Sequence, residues 1–116
     1  MTAALQITTD GFAIHMDLSH NTLAQLQAAV GGYVQAVDLT PELTMWCNEE
    51  GKLQGLPFNA AATLAWAMSF GKTDIIVGNA VFTGGTDHNG DIKSLSPELI
   101  ERLLGIIKLS EMGELA

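Results

Sequence analysis

Alternating apolar and polar positions open the chain. Ala4 to Thr9 (ALQITT) and Phe12 to Leu18 (FAIHMDL) flank Asp10-Gly11. This predicts two strands around a tight turn, because Asp-Gly accepts positive φ at both centres of a two-residue hairpin turn. In the second strand Phe12, Ile14 and Met16 form one face, and His15 faces outward or towards a shared cleft. The period then changes. Leu23, Leu26, Gln27 and Val30 recur at three- and four-residue steps, with Ser19 or Asn21 to cap the helix and Gly31-Gly32 to end it. Alternation returns in Tyr33 to Leu39 and in Leu43 to Asn48, where Leu43, Met45 and Cys47 oppose Thr44, Trp46 and Asn48. Asn48-Glu49-Glu50-Gly51 carries turn chemistry, and Lys52-Leu53 suggests a short returning strand.

Asn59 is placed to cap a helix over Ala60 to Phe70 that is apolar on nearly every side. Such a helix needs cover on more than one face, from its own domain or from a second copy of the chain, and this predicts a homo-oligomer. Asp74 to Thr83 (DIIVGNAVFT) is long and β-branched, which predicts a central strand. A polar loop follows through Asp91. Ser96-Pro97-Glu98 then starts a last helix with a cap, a proline at the first position and an early carboxylate. Its core stripe is Leu99, Ile100, Leu103, Leu104 and Ile107, and the tail from about residue 110 is expected to fray. The order β-β-α-β-β-α-β-α predicts one α+β domain over residues 1–116. Its sheet is expected to be mixed but mainly antiparallel, with about three helices packed on it.

Charge and composition then exclude several classes. Thirteen carboxylates against five Lys and Arg give a net charge of −8, which repels phosphate backbones and argues against duplex DNA as a partner. No apolar run approaches the ~18 residues of a membrane span. The start has no basic segment of a secretory signal, and Cys47 is the only cysteine, so a cytoplasmic location is expected.

The candidate chemistry is sparse. Cys47, between Trp46 and Asn48 at an inward strand position, reads as a small buried hydrophobe rather than a nucleophile. His15, His20 and His88 lie far apart, and none has a second ligand at helical spacing. Asp87, Asn89, Asp91 and Glu98 match four positions of a calcium loop, but Ile92 stands where that loop needs glycine. Gly71-Lys72-Thr73 lacks the upstream glycine of a phosphate loop, its place being taken by Trp66. No metal, cofactor or catalytic set is therefore assigned. What remains is a mixture of aromatic faces and neutral polar groups near strand ends and helix starts: Tyr33, Trp46, Asn48, Asn59, Trp66, Asn79 and Thr83. A pocket for a planar base or a sugar uses that mixture.

Four blocks carry a resemblance. They are Gly32 to Val37 (GYVQAV), Asn48 to Leu53 (NEEGKL), Gly55 to Ala62 (GLPFNAAA) and Asp74 to Gly84 (DIIVGNAVFTG). In order and spacing they resemble a family of small proteins of unknown function common in bacteriophages and in actinobacterial genomes. The likeness runs from Gly32 to about Leu95, with no signature in the N-terminal hairpin or first helix. It implies a phage-linked accessory protein and carries over no catalytic residues. By analogy with small phage proteins that counter host defence, the expected function is sequestration of a nucleotide-derived immune signal without cleavage. The alternative is an acidic inhibitor that docks on a host enzyme; hydrolysis of such a signal would need a base-nucleophile pair that the sequence does not offer.

Overall fold

The computed structural model of the chain describes residues 2–19 and 21–113, so His20 lies outside the described residues. Five strands, β1 (Ala3–Ile7), β2 (Ala13–Asp17), β3 (Val34–Thr40), β4 (Leu43–Asn48) and β5 (Ala80–Thr83), form one sheet in the order β2-β1-β5-β4-β3. All four pairings are antiparallel. Three helices, α1 (Thr22–Val30), α2 (Ala60–Phe70) and α3 (Pro97–Glu111), complete the α+β fold that the periodicities predict.

The two-residue period along the strands sends side chains to two separate cores. Leu5, Ile7, Met45, Cys47, Ala80 and Phe82 face α2 and α3. Ala4 and Val81 face the opposite way and meet Leu26 and Val30 of α1, with Trp46 partly buried beside them. The sheet is therefore a middle layer, with α2 and α3 on one side and α1 on the other. Among the described residues no helix is long and apolar enough to cross a membrane.

Several boundaries and faces differ from the sequence reading, each for a local reason. In the first turn only Gly11 has positive φ; the turn begins at Thr8, whose carbonyl accepts from Gly11 and whose hydroxyl accepts from the Phe12 amide. The β2 strand is an edge, so Phe12 and Ile14 stay exposed. Leu23 is exposed as well, because α1 meets the sheet only through the side that carries Leu26 and Val30. Asn21 sits at the N-cap in a left-handed conformation and its side chain makes no cap bond. Lys52 and Leu53 belong to a turn rather than a returning strand.

The predicted strand Asp74 to Thr83 is central but short. Gly78, at φ 78°, breaks it, and only Ala80–Thr83 pairs in the sheet. The residues before the break do other work: Val77 forms an isolated bridge with Phe58, and Ile76 is bonded to the start of α2. The last helix starts as predicted, with the Ser96 hydroxyl accepting from the Leu99 amide, and it runs on to Glu111.

Candidate functional site

A cavity of about 220 Å³ opens where the far end of the β3–β4 hairpin meets α2. Its walls come from three segments. Gln35 and Val37 of β3 and Cys47 of β4 supply the sheet side, Trp66 supplies the helix side, and the turn after β4 and residues 74–77 form the mouth.

Local chemistry explains each segment. Asn48 folds the turn: its side-chain carbonyl accepts from the Glu50 amide at 2.8 Å, and its amide nitrogen donates to the Val30 carbonyl and to Gln54 Oε1, each at 3.2 Å. That side chain ties the β4 turn to the end of α1. Residues 74–77 are clipped to α2. The Thr63 hydroxyl accepts from the Ile76 amide at 2.8 Å, the Asn59 amide donates to the Ile76 carbonyl at 2.9 Å, and the Gly78 amide donates to the Pro57 carbonyl at 2.7 Å. Trp66 is fixed by its indole N–H, which donates to the Thr73 hydroxyl at 2.9 Å, and by Phe70, whose ring centroid lies 4.6 Å away.

An ion pair between Lys52 and Asp74 joins the two segments at the mouth, with side chains 57% and 39% exposed. A pair so exposed contributes roughly 0–1 kcal/mol, so it can be exchanged at little cost. The hydrogen bond from Lys52, with a smaller contribution from the Ile75 amide, holds the Asp74 carboxyl below its ordinary range. Behind the mouth, burial pushes the Cys47 thiol up, and the Asp74 carboxylate adds to that while Lys52 opposes it. The thiol lies 3.9 Å from the Gln35 carbonyl oxygen and stays protonated near neutral pH. Among the described residues no histidine lines the cavity. Its walls mix the apolar Val37, Trp66 and Ile76 with the polar Gln35 and Asn48, and charged side chains stand at the rim.

The seven residues expected to form a pocket are not gathered in one place. Asn48 and Trp66 line this cavity. Trp46 and Thr83 pair with each other on the sheet face that carries α1, the indole N–H donating to the Thr83 hydroxyl at 3.0 Å. Asn59 is fully buried, and its side chain is spent on the Ala62 amide and on the carbonyls of Ile7 and Gly78. Asn79 accepts from the Thr9 amide and borders a separate shallow hollow beside α1. Tyr33 is 67% exposed, beyond the end of α1.

Lys52, Asp74, Gln35 and Cys47 line the cavity and are not among the seven residues the sequence singled out. The only signal for them was position, at a turn and a connector that meet across 22 residues of sequence in the case of the ion pair. In the loop after β5, Asp87 accepts from the amides of Asn89 and Asp91, so its carboxylate organises the turn. Among the described residues no group of three His, Cys, Asp or Glu side chains is arranged to hold a metal.

These features define a small α+β protein with a two-sided sheet and one box-like cavity at the end of its β3–β4 hairpin. The family model for a domain of unknown function, DUF3846, matches residues 1–108, and the chain belongs to that family. The match takes in the N-terminal hairpin and first helix as well as the four blocks that carried the resemblance. No curated protein and no solved structure matches the chain.

Proposed function

We propose that this chain is a phage-type binding protein that sequesters a nucleotide-derived signal of host immunity. It seats the signal's planar ring in the cavity and leaves the molecule intact. The observation that carries the reading is the cavity itself, a box walled by Trp66 and by apolar and polar side chains in similar measure; its Cys47 has a raised pKa, and among the described residues no histidine lines it. Its volume of about 220 Å³ decides how much of the ligand enters. Sites for whole drug-sized molecules run to roughly 300–1,000 Å³, so one subunit takes a base or pyridine ring and leaves ribose and phosphate outside. The phage link rests on the likeness of the four blocks.

The test is to incubate the purified chain with cyclic nucleotides and with cyclic ADP-ribose isomers. Thermal midpoint and depletion from solution are measured, and the ligand is recovered after denaturation. The reading expects a raised midpoint and intact recovery. Absence of both shift and depletion overturns it, and recovery of a cleaved product makes the chain a hydrolase.

A second reading is favoured by one feature. Leu53 and Ile75, both exposed, stand at the same mouth, and the exposed Phe58 lies with Ile75 on a neighbouring hollow. An acidic inhibitor docking on a host enzyme would bury them, and Leu53→Asp would then abolish recovery of the partner.

Self-association rests on a different surface, the apolar groove between α2 and α3. Met68 is exposed there, and Arg102 is the one charged residue in the lining among the described residues. Two copies can meet on that face with Arg102 offsetting the Glu98 carboxylate beside it. Light scattering of the wild type and of Met68→Asp, expected to be a dimer and a monomer, tests this.

A further inference from the structure

The charges around the cavity do not suit every part of a nucleotide-derived molecule. Glu49, Glu50 and Asp74 line it together with Lys52, three carboxylates against one ammonium. Lys52 is already paired with Asp74, and Glu49 and Glu50 are exposed, with no side-chain bond to another described residue. An anionic group brought to this mouth would meet a net negative field on a chain that is itself at −8. A cationic group would meet an attractive one. It would also find a carboxylate whose present partner is held by a single exposed contact. The wall behind offers the aromatic Trp66 and the apolar Val37 and Cys47, which suit a flat ring whose charge is spread rather than a hydrated point charge.

We infer that the group entering the cavity is a compact cationic ring, such as an N-alkylated pyridine or purine, and that Asp74 exchanges Lys52 for it. This rests on the small-molecule reading above and specifies its ligand: the charged ring goes in, and the phosphates point away from the mouth. Lys52 then acts as a built-in competitor, occupying Asp74 until the ligand displaces it. Asp74 is the specificity-determining residue, and Glu49 and Glu50 add to the attraction. Ligand and lysine compete for one carboxylate, so the two partners of the ion pair affect binding in opposite directions. A merely structural role for the pair would make loss of either partner act in the same direction.

The test uses one ring in three charge states: 1-methylnicotinamide (cationic), nicotinamide (neutral) and nicotinate (anionic), titrated into the full chain by calorimetry. Alkylation of Cys47, the only thiol and a lining residue, reports occupancy of the cavity. At low salt the cation is expected to bind about tenfold more tightly than the anion, and the difference narrows as salt rises. Asp74→Asn weakens the preference, and Lys52→Gln enlarges it. Asp10→Asn, the same loss of charge in the turn at the other side of the sheet, leaves it unchanged. Bound ring slows Cys47 alkylation.

Equal affinity for the three rings overturns the inference, as does tightest binding of nicotinate or loss of cation binding in Lys52→Gln. If Cys47 is protected but the charge order is reversed, the inference falls and the binding reading stands. If none of the rings slows Cys47 alkylation, the cavity is not the site and both fall.

Discussion

The side-chain amide nitrogen of Asn59 lies 3.0 Å from the carbonyl oxygen of Ile7, joining the start of α2 to the end of β1 across 52 residues of sequence. The same nitrogen donates to Gly78 at 2.9 Å, while the side-chain oxygen caps α2 by accepting from Ala62. One fully buried amide thus sets where helix, edge-side strand and central strand meet.

Asn59→Ala should destabilise the chain by about 3 kcal/mol or more, adding a lost cap to two carbonyls left without a donor. Asn59→Asp keeps the cap acceptor but turns a carboxylate towards those carbonyls, and it should be no better. Urea unfolding measures both. A loss under 1 kcal/mol for Asn59→Ala would mean that the three bonds are replaced by other partners.

Trp46 and Thr83 form a part-buried pair away from the cavity. Thr83→Val leaves the indole N–H without its partner and should lower stability by about 1–2 kcal/mol. Combining it with Trp46→Phe should be less harmful than the sum of the two changes, by about 1 kcal/mol, because both groups of the bond are then gone. Neither change should alter ring binding at the cavity, which calorimetry on the variants checks.

Two glycines should respond in opposite ways to alanine. A Cβ on Gly84 would lie 2.1 Å from the backbone oxygen of Ser94, a contact that no side-chain movement relieves. Gly84→Ala should therefore cost about 3 kcal/mol or more. A Cβ on Gly105, inside α3, would meet nothing within 4 Å. Gly105→Ala should stabilise the chain by about 0.5–1 kcal/mol through helix propensity. Thermal midpoints of the two variants, one below and one above wild type, decide it.

The Lys52–Asp74 pair predicts a small acid effect of known sign. The folded pKa of Asp74 is depressed, so its contribution is present above the ordinary carboxylate range and is lost as pH falls through the folded value. Stability should drop by less than about 1 kcal/mol from this source below about pH 4, and Lys52→Gln should remove that component. Cys47 acts at the other end of the scale. Its folded pKa is raised, so its contribution is complete below the ordinary thiol value and is lost as pH rises above about 8.5. Cys47→Ala should flatten the alkaline limb, and denaturation at stepped pH measures both ends.

Much of the fold was legible along the chain because it depends on local rules. Alternation over Leu43–Asn48 placed that strand and both of its faces, and Asn59 and Ser96 marked their helix starts through caps set by neighbouring atoms. The α+β class follows from the order of those periods. Failures came where a distant segment decided the outcome. Leu23 matches the helical stripe, but only the Leu26 and Val30 side of α1 reaches the sheet. Asp74 to Asn79 has strand composition, yet its backbone groups are claimed by α2 and the strand is bent away at Gly78. The pocket was the least legible feature. Residue type pointed to aromatic and amide side chains, and most of those are spent on structural hydrogen bonds. Lys52, Asp74, Gln35 and Cys47 came to line one cavity only when two loops closed over the end of a hairpin. Periodicity and caps are properties of neighbouring residues, so the sequence alone determined most of the elements and the inward faces of β4 and α3. Which polar groups are left free to meet a ligand depends on what the rest of the chain has already used, and only the tertiary structure decided that.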